Sequence, residues 1–261
     1  KALPPRRCRL GTNTVSCYQT DARMLRETAK GVAPAYKSLR YYGSLFRGEF
    51  SKEDTMKAHL QDLARSVGCQ GLRQIQLLAL DEFCGEHVVD PVDHEHLREA
   101  IEDELPGDER PSHWDVRLQM FEGLGFAKHS LMSVTPLQPA NEATSLFRDV
   151  FTLSLLEMTA AVGSIELWYV PLASRLFECY RKLGYSDYQL ATYSLHATAD
   201  IGHSSAALAF VDKYSAPDQH AHLLAAVRQG FKSVILYDEA RFAAAMDKAR
   251  DFEDYLPHHN L

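Results

Sequence analysis

Apolar residues in this chain recur every three or four positions, the spacing that lines one face of a helix. Over 217–252 they fall at Leu223, Leu224, Val227, Phe231, Val234 and Ile235, and predict a long closing helix. Leu72, Ile75, Leu78 and Leu80 mark a helix over 70–84 that reaches Asp81 and Glu82. After Pro91, His94, Leu97 and Ile101 carry another to Glu104. Residues 142–183 read as one long helix, capped by Asn141, kinked near Pro171 and stopped by Gly184. Shorter helices are predicted over 20–30 behind Thr20 and Asp21, over 35–46, and over 51–68, where Ser51 and Asp54 resemble a capping box and Gly68 ends the run. Residues 105–112, LPGDERPS, read as a turn-rich linker. No Asn-Gly or Asp-Gly hairpin and no useful period-2 run occurs. The pattern predicts an all-α chain: a single bundle of about seven helices over 20–255, behind a partly ordered arm over 1–19.

One stretch breaks the pattern in an informative way. Ser186 and Gln189 form a plausible capping box, which opens a helix over 188–214. His196, Asp200 and His203 stand at i, i+4 and i+7, so they share one helix face. The same face continues as Tyr193, Ala207, Phe210 and Tyr214. Two imidazoles and a carboxylate thus interrupt a stripe that otherwise packs inward, and a buried polar trio needs a partner. A metal ion is the most economical one.

Two further features belong with the trio. Residues 150–170 hold only two charges, Glu157 and Glu166, nine positions apart and so on opposite helix faces. A carboxylate in so apolar a segment is protonated, paired or bound to a cation. Glu166 lies 18 positions before the turn at Gly184 and His196 lies 12 after it, similar depths on two antiparallel helices. Glu82 is followed by His87, His94 and His96, any of which could serve as a ligand. Together these supply Glu82, a histidine from 87–96 (His94 for preference), Glu166, His196, Asp200 and His203. Oxygen and nitrogen donors without thiolate point to iron, manganese or zinc. Four ligands complete one metal; six with a shared carboxylate suit two. The Glu-x-x-His signature of ferritin-like diiron bundles is absent from the sequence.

Composition narrows the classes. A net charge of −7 and a pI near 5.9 argue against a nucleic-acid surface or a basic membrane face. No 18-residue run is apolar and uncharged, so no membrane span is expected. The opening KALPPRRCRLGTNT lacks the apolar middle of a signal peptide. Cys8, Cys17, Cys69, Cys84 and Cys179 are odd in number and include no CxxC pair, which suggests reduced thiols in a cytoplasm.

His196-x3-Asp200-x2-His203, preceded thirty positions earlier by Glu166-x4-Pro171, resembles the haem-oxygenase-like diiron oxidases and oxygenases. Asp81-Glu82-Phe83-x-Gly85 with His94-x2-Leu97 is similar to that family's first ligand helix, and Gly230 in the last helix also fits. The resemblance covers roughly 70–250. It implies a seven-helix fold, two Fe(II) ions and dioxygen as co-substrate. It also implies C–H oxidation (desaturation, C–C cleavage, cyclisation or N-oxygenation) of a free amino acid or a fatty acid, often in natural-product biosynthesis. On that reading Glu166 bridges the irons as the catalytic carboxylate. Glu82 and His94 serve one iron, Asp200 and His203 the other, and His196 stays unassigned between them. The spacing leaves His87 or His96 open in place of His94, and within 51–68 no clear added ligand stands out, Glu53, His59 and Gln61 being no more than candidates.

An amino-acid substrate is favoured, with Arg40, Arg175 or Lys213 available for its carboxylate. No nucleic-acid or membrane partner is expected, and a homodimer is left open. The alternatives are a fatty-acid oxidase or decarboxylase on the same fold, a metal-free thiaminase-like hydrolase using cysteine, and a non-catalytic helical protein.

Overall fold

The computed structural model describes residues 23–105, 113–123, 126, 131 and 134–255. The predicted arm over 1–19, the caps at Thr20 and Asp21, and nearly all of the linker after Leu105 lie outside them. Among the described residues the chain is helical throughout, without strands. In order come α1 (Arg23–Val32), α2 (Arg40–Phe46), α3 (Lys52–Gly68), α4 (Leu72–Glu86), α5 (Pro91–Glu102), α6 (His113–Glu122), α7 (Gln138–Val150), α8 (Leu155–Lys182), α9 (Ala191–Tyr214) and α10 (His220–Met246). Among the described residues these are more helices than the seven expected: two predicted runs are split, and α6 stands where no helix is predicted.

The first split falls at Leu39, where the backbone is extended between a 3-10 turn at Tyr36–Ser38 and α2. The cause is tertiary. The Asp238 carboxylate on α10 accepts the backbone N–H groups of Tyr41 and Tyr42 at 3.0 and 3.1 Å, and so caps α2 from across the bundle. The second split lies at 151–154, where Ser154 opens a capping box with Glu157. Glu157 is therefore a cap at a helix start rather than a mid-helix charge. Pro171 sits inside α8, which continues through it to Lys182. Gly184 takes the left-handed conformation (φ 86°) that its lack of a Cβ permits, and turns the chain toward α9.

α8 and α9 run antiparallel along their length, and small residues set how closely. A Cβ on Gly163 of α8 would lie 2.7 Å from Ala207 Cβ on α9. A Cβ on Gly230 of α10 would lie 3.0 Å from Ile165 Cδ1 and 3.4 Å from Ala161 Cβ on α8. Leu156, Leu208, Val227 and Phe231 fill one side of this three-helix layer. The other side is aromatic: Tyr41, Tyr42, Tyr180 and Tyr193 are fully buried, and His59 of α3 stands among them, its ring 4.7 Å from that of Tyr180.

Two consequences are open to measurement. Gly163→Ala should lower stability by about 1–3 kcal/mol, because α8 or α9 must shift to admit the methyl. An unchanged urea midpoint would show that the helix pair is not held at this separation. His59, enclosed by tyrosines and near the cations Arg241 and Arg117, has its imidazole driven down to about 3 by burial first and these cations second. It is neutral in the folded chain and titrates near 6.5 when unfolded. The stability it contributes is therefore full above 6.5 and lost as pH falls toward 3. His59→Gln should flatten the loss of stability with falling pH across this window; equal slopes in the two proteins would contradict it.

Candidate metal centre and cavity

The polar trio on α9 is buried as its stripe predicts, with side chains of His196, Asp200 and His203 exposed by only 12%, 2% and 6%. His196 Nδ1 lies 3.0 Å from Asp200 Oδ1. His203 faces the chain just past α5: its Nε2 is 3.4 Å from Asp103 Oδ2 and its Nδ1 is 3.6 Å from Glu104 Oε1. One donor atom each from Glu104, Asp200 and His203 lie within 4.8 Å of one another. Metal bonds of about 2.0–2.2 Å hold ligand atoms at most about 4.4 Å apart, so a small closure would seat an ion between them.

Glu166 projects from α8 into the same space, one turn beyond Gly163. The Arg73 guanidinium on the first turn of α4 donates to Glu166 Oε1 at 2.5 Å and lies 3.7 Å from Glu104 Oε1. Arg73 is itself seated: its Nη1 donates to Gln76 Oε1 at 2.9 Å, and Gln76 Nε2 donates to Thr159 Oγ1 of α8 at 3.3 Å. Gly71, left-handed at φ 82°, turns the chain into α4 directly before it.

The electrostatics follow from burial and mutual charge. Burial raises the Glu166 carboxyl, as do Asp200 and Glu104, against the pull of Arg73 and His203. Burial disfavours a charged His203, but hydrogen bonds to Asp103 and Glu104 outweigh it and push the imidazole up to about 10. His196 shows the same contest, decided upward by Asp200. The donors are nitrogen and carboxylate oxygen, a set that suits iron or manganese.

The remaining expected ligands are placed elsewhere. Glu82 is exposed, nine residues beyond Arg73 on the same helix and so about 13 Å along its axis. His94 is half-buried, with Nε2 3.9 Å from Asp81 Oδ1. His87 is exposed, stacked 4.2 Å from the Phe83 ring. His96 is half-buried on α5. Glu53 is exposed, 3.5 Å from the buried Lys57 ammonium, His59 lies in the tyrosine core, and Gln61 Oε1 accepts the Leu137 N–H at 2.8 Å. The structure thus groups Glu166, His196, Asp200 and His203, and adds Glu104 and Arg73. Sequence reasoning passed over Glu104 because Glu102-Asp103-Glu104 reads as a solvated helix end. It passed over Arg73 because one arginine in a helix's first turn carries no signal of its partner.

A cavity of about 160 Å³ joins this centre to a second polar group. Asp62, Arg65, Arg117 and Arg241 line it as well. Arg117 pairs with Asp62 at 3.1 Å, and Arg117 and Arg241 draw the buried Asp62 carboxyl down to about 2 against the effect of burial. Arg241, 1% exposed, donates to the hydroxyls of Tyr42 at 2.9 Å and Tyr180 at 2.7 Å. Arg65 lies over the rings of Phe147 and Tyr237 at 4.6 and 5.1 Å. Its lining therefore mixes four carboxylates (Asp62, Glu104, Glu166 and Asp200) with four guanidinium groups (Arg65, Arg73, Arg117 and Arg241). Val162, Ile165 and Val234 are among its apolar lining residues. A cleft of about 490 Å³ adjoins it and shares Arg65, Arg73, Glu104, Arg117 and His196. Arg40, Arg175 and Lys213 do not line either space; they engage Glu239, the Phe46 ring and Asp93.

Comparisons with known proteins bear on the fold and the family. Two crystal structures of a CadD-like protein of unknown function from Nostoc punctiforme PCC 73102 share the fold at 16% identity. One, at 2.00 Å resolution, has a TM-score of 0.67 and covers 89% of this chain and 100% of that one. The other, at 1.35 Å, has a TM-score of 0.61 and covers 91% and 97%. No curated protein matches the sequence. Residues 70–237, more than half of the chain, match the profile of the iron-containing redox enzymes of haem-oxygenase type, and the chain belongs to that family.

Proposed function

We propose that this protein is an iron-dependent oxidase or oxygenase that uses dioxygen to oxidise a C–H bond of a small aliphatic amino acid. The observation that supports this best is the cavity beside the His/carboxylate cluster, whose lining also holds Arg65 and Arg241. Glu104, Asp200 and His203 would hold the iron, and bound iron would supply the reduction of dioxygen. His196 orients Asp200 through their 3.0 Å contact. Arg65 and Arg241 offer charge to a substrate carboxylate; neither has a carboxylate partner within salt-bridge distance among the described residues. Val162, Ile165 and Val234 of the lining then take the aliphatic side chain and exclude water from it. Glu166, facing the same space, is the carboxylate best placed to take a proton from the substrate amine.

A fatty acid suits the space less well, because four carboxylates and four guanidinium groups line a cavity of only about 160 Å³. A cysteine hydrolase finds little support. The thiols of Cys69, Cys84 and Cys179 are all pushed up by burial, away from the thiolate form. Among the described residues no helix is long and apolar enough to cross a membrane.

Asp200→Ala should lose most bound iron while the chain stays helical by circular dichroism, since it removes one of three donors from the centre. Full iron occupancy in that variant would remove Asp200 from the site. In the iron-loaded native chain, aliphatic amino acids should accelerate oxygen consumption. Arg241→Gln should raise the amino-acid concentration needed by about tenfold or more, as expected for a lost charge-assisted contact. Acceleration by medium-chain fatty acids and not by amino acids would favour the fatty-acid reading.

A further inference from the structure

Three carboxylates, Glu104, Glu166 and Asp200, converge on the centre, and all three are largely withdrawn from water. Buried anions need cations close by. A two-metal centre supplies two ions about 3.5–4 Å apart, sharing carboxylates between them. Here the carboxylates that a second ion would share are already engaged. The Arg73 guanidinium donates to Glu166 at 2.5 Å and lies 3.7 Å from Glu104, the same Glu104 that closes on Asp200 and His203.

We infer that the centre takes one metal ion, and that the Arg73 guanidinium occupies the place of a second cation. The inference rests on Glu104, Asp200 and His203 being the metal site. Charge favours it: one Fe(II) with Arg73 brings three positive charges against the three carboxylates, whereas two Fe(II) ions with Arg73 would leave two in excess. Chemistry favours it too. A lysine could shed its proton and make room, but an arginine stays charged in a protein. The seating is built rather than incidental, for Gln76 and Thr159, which steady Arg73, are 1% and 0% exposed. Glu82 and His94, the donors that would complete a second ion, stand outside this space.

The test is metal stoichiometry in the full chain. After anaerobic loading with excess Fe(II) and removal of unbound metal, the native chain should retain about one iron. Arg73→Gln frees Glu166 and Glu104 of their cation and should gain a second, weaker site. Mn(II) loaded into the native chain should give the electron paramagnetic resonance signal of an isolated ion, a readout that stands even where the variant does not fold. Two irons in the native chain, or the spectrum of a coupled manganese pair, overturns the inference and leaves the metal site standing. A folded Arg73→Gln chain with no second site overturns the role given to Arg73. A native chain that takes no metal overturns the metal site itself, and the inference with it.

Discussion

The structure around α8 and α9 depends on one constraint: three carboxylates are held inside a helical bundle, and their charge must be matched there. Arg73 meets part of that demand through Glu166 and Glu104. In the metal-free chain the imidazoles of His203 and His196 meet the rest, both drawn toward their protonated forms by neighbouring carboxylates. Replacing those protons with a metal ion keeps the charge balanced, so the fold and the metal site answer the same electrostatic requirement. The packing serves this purpose. Gly163 lets α8 approach α9 closely, and Glu166 follows one turn later at the depth of Asp200.

Periodicity carried much of this. The buried face of α9, the antiparallel pairing of α8 with it and the meeting of Glu166 with His196 and Asp200 around one cavity all follow from spacing in the sequence. What spacing could not show was set by tertiary contact. Asp238 splits the helix predicted over 35–46 because its carboxylate reaches the N–H groups of Tyr41 and Tyr42 from another helix. Ser154 and Glu157 form a capping box inside an apolar run that reads as continuous helix. Glu104 sits beyond the end of α5, where no helical period extends, and its three-residue acidic run looks solvated. Arg73 is the partner of Glu166 only because α4 and α8 pack side by side. The acidic, histidine-rich stretch at 81–96 stands out for its residue types, yet its exposed and half-buried side chains find partners away from the cavity, as Asp81 does in His94 and Arg98 and Asp93 does in Lys213.

The arginines that line the cavity had no signature in the sequence. Asp62, Arg65, Arg117 and Arg241 come from three helices and converge only in the fold. Together they add a net positive charge to a lining that also holds Glu104, Glu166 and Asp200.

The account stands on where the metal binds. Anomalous diffraction at the iron absorption edge, from crystals of the iron-loaded chain, locates it directly. The account predicts a peak between Glu104, Asp200 and His203, beside the Arg73 guanidinium. A peak against Glu82 and His94 on α4 and α5, or none within the bundle, would contradict it.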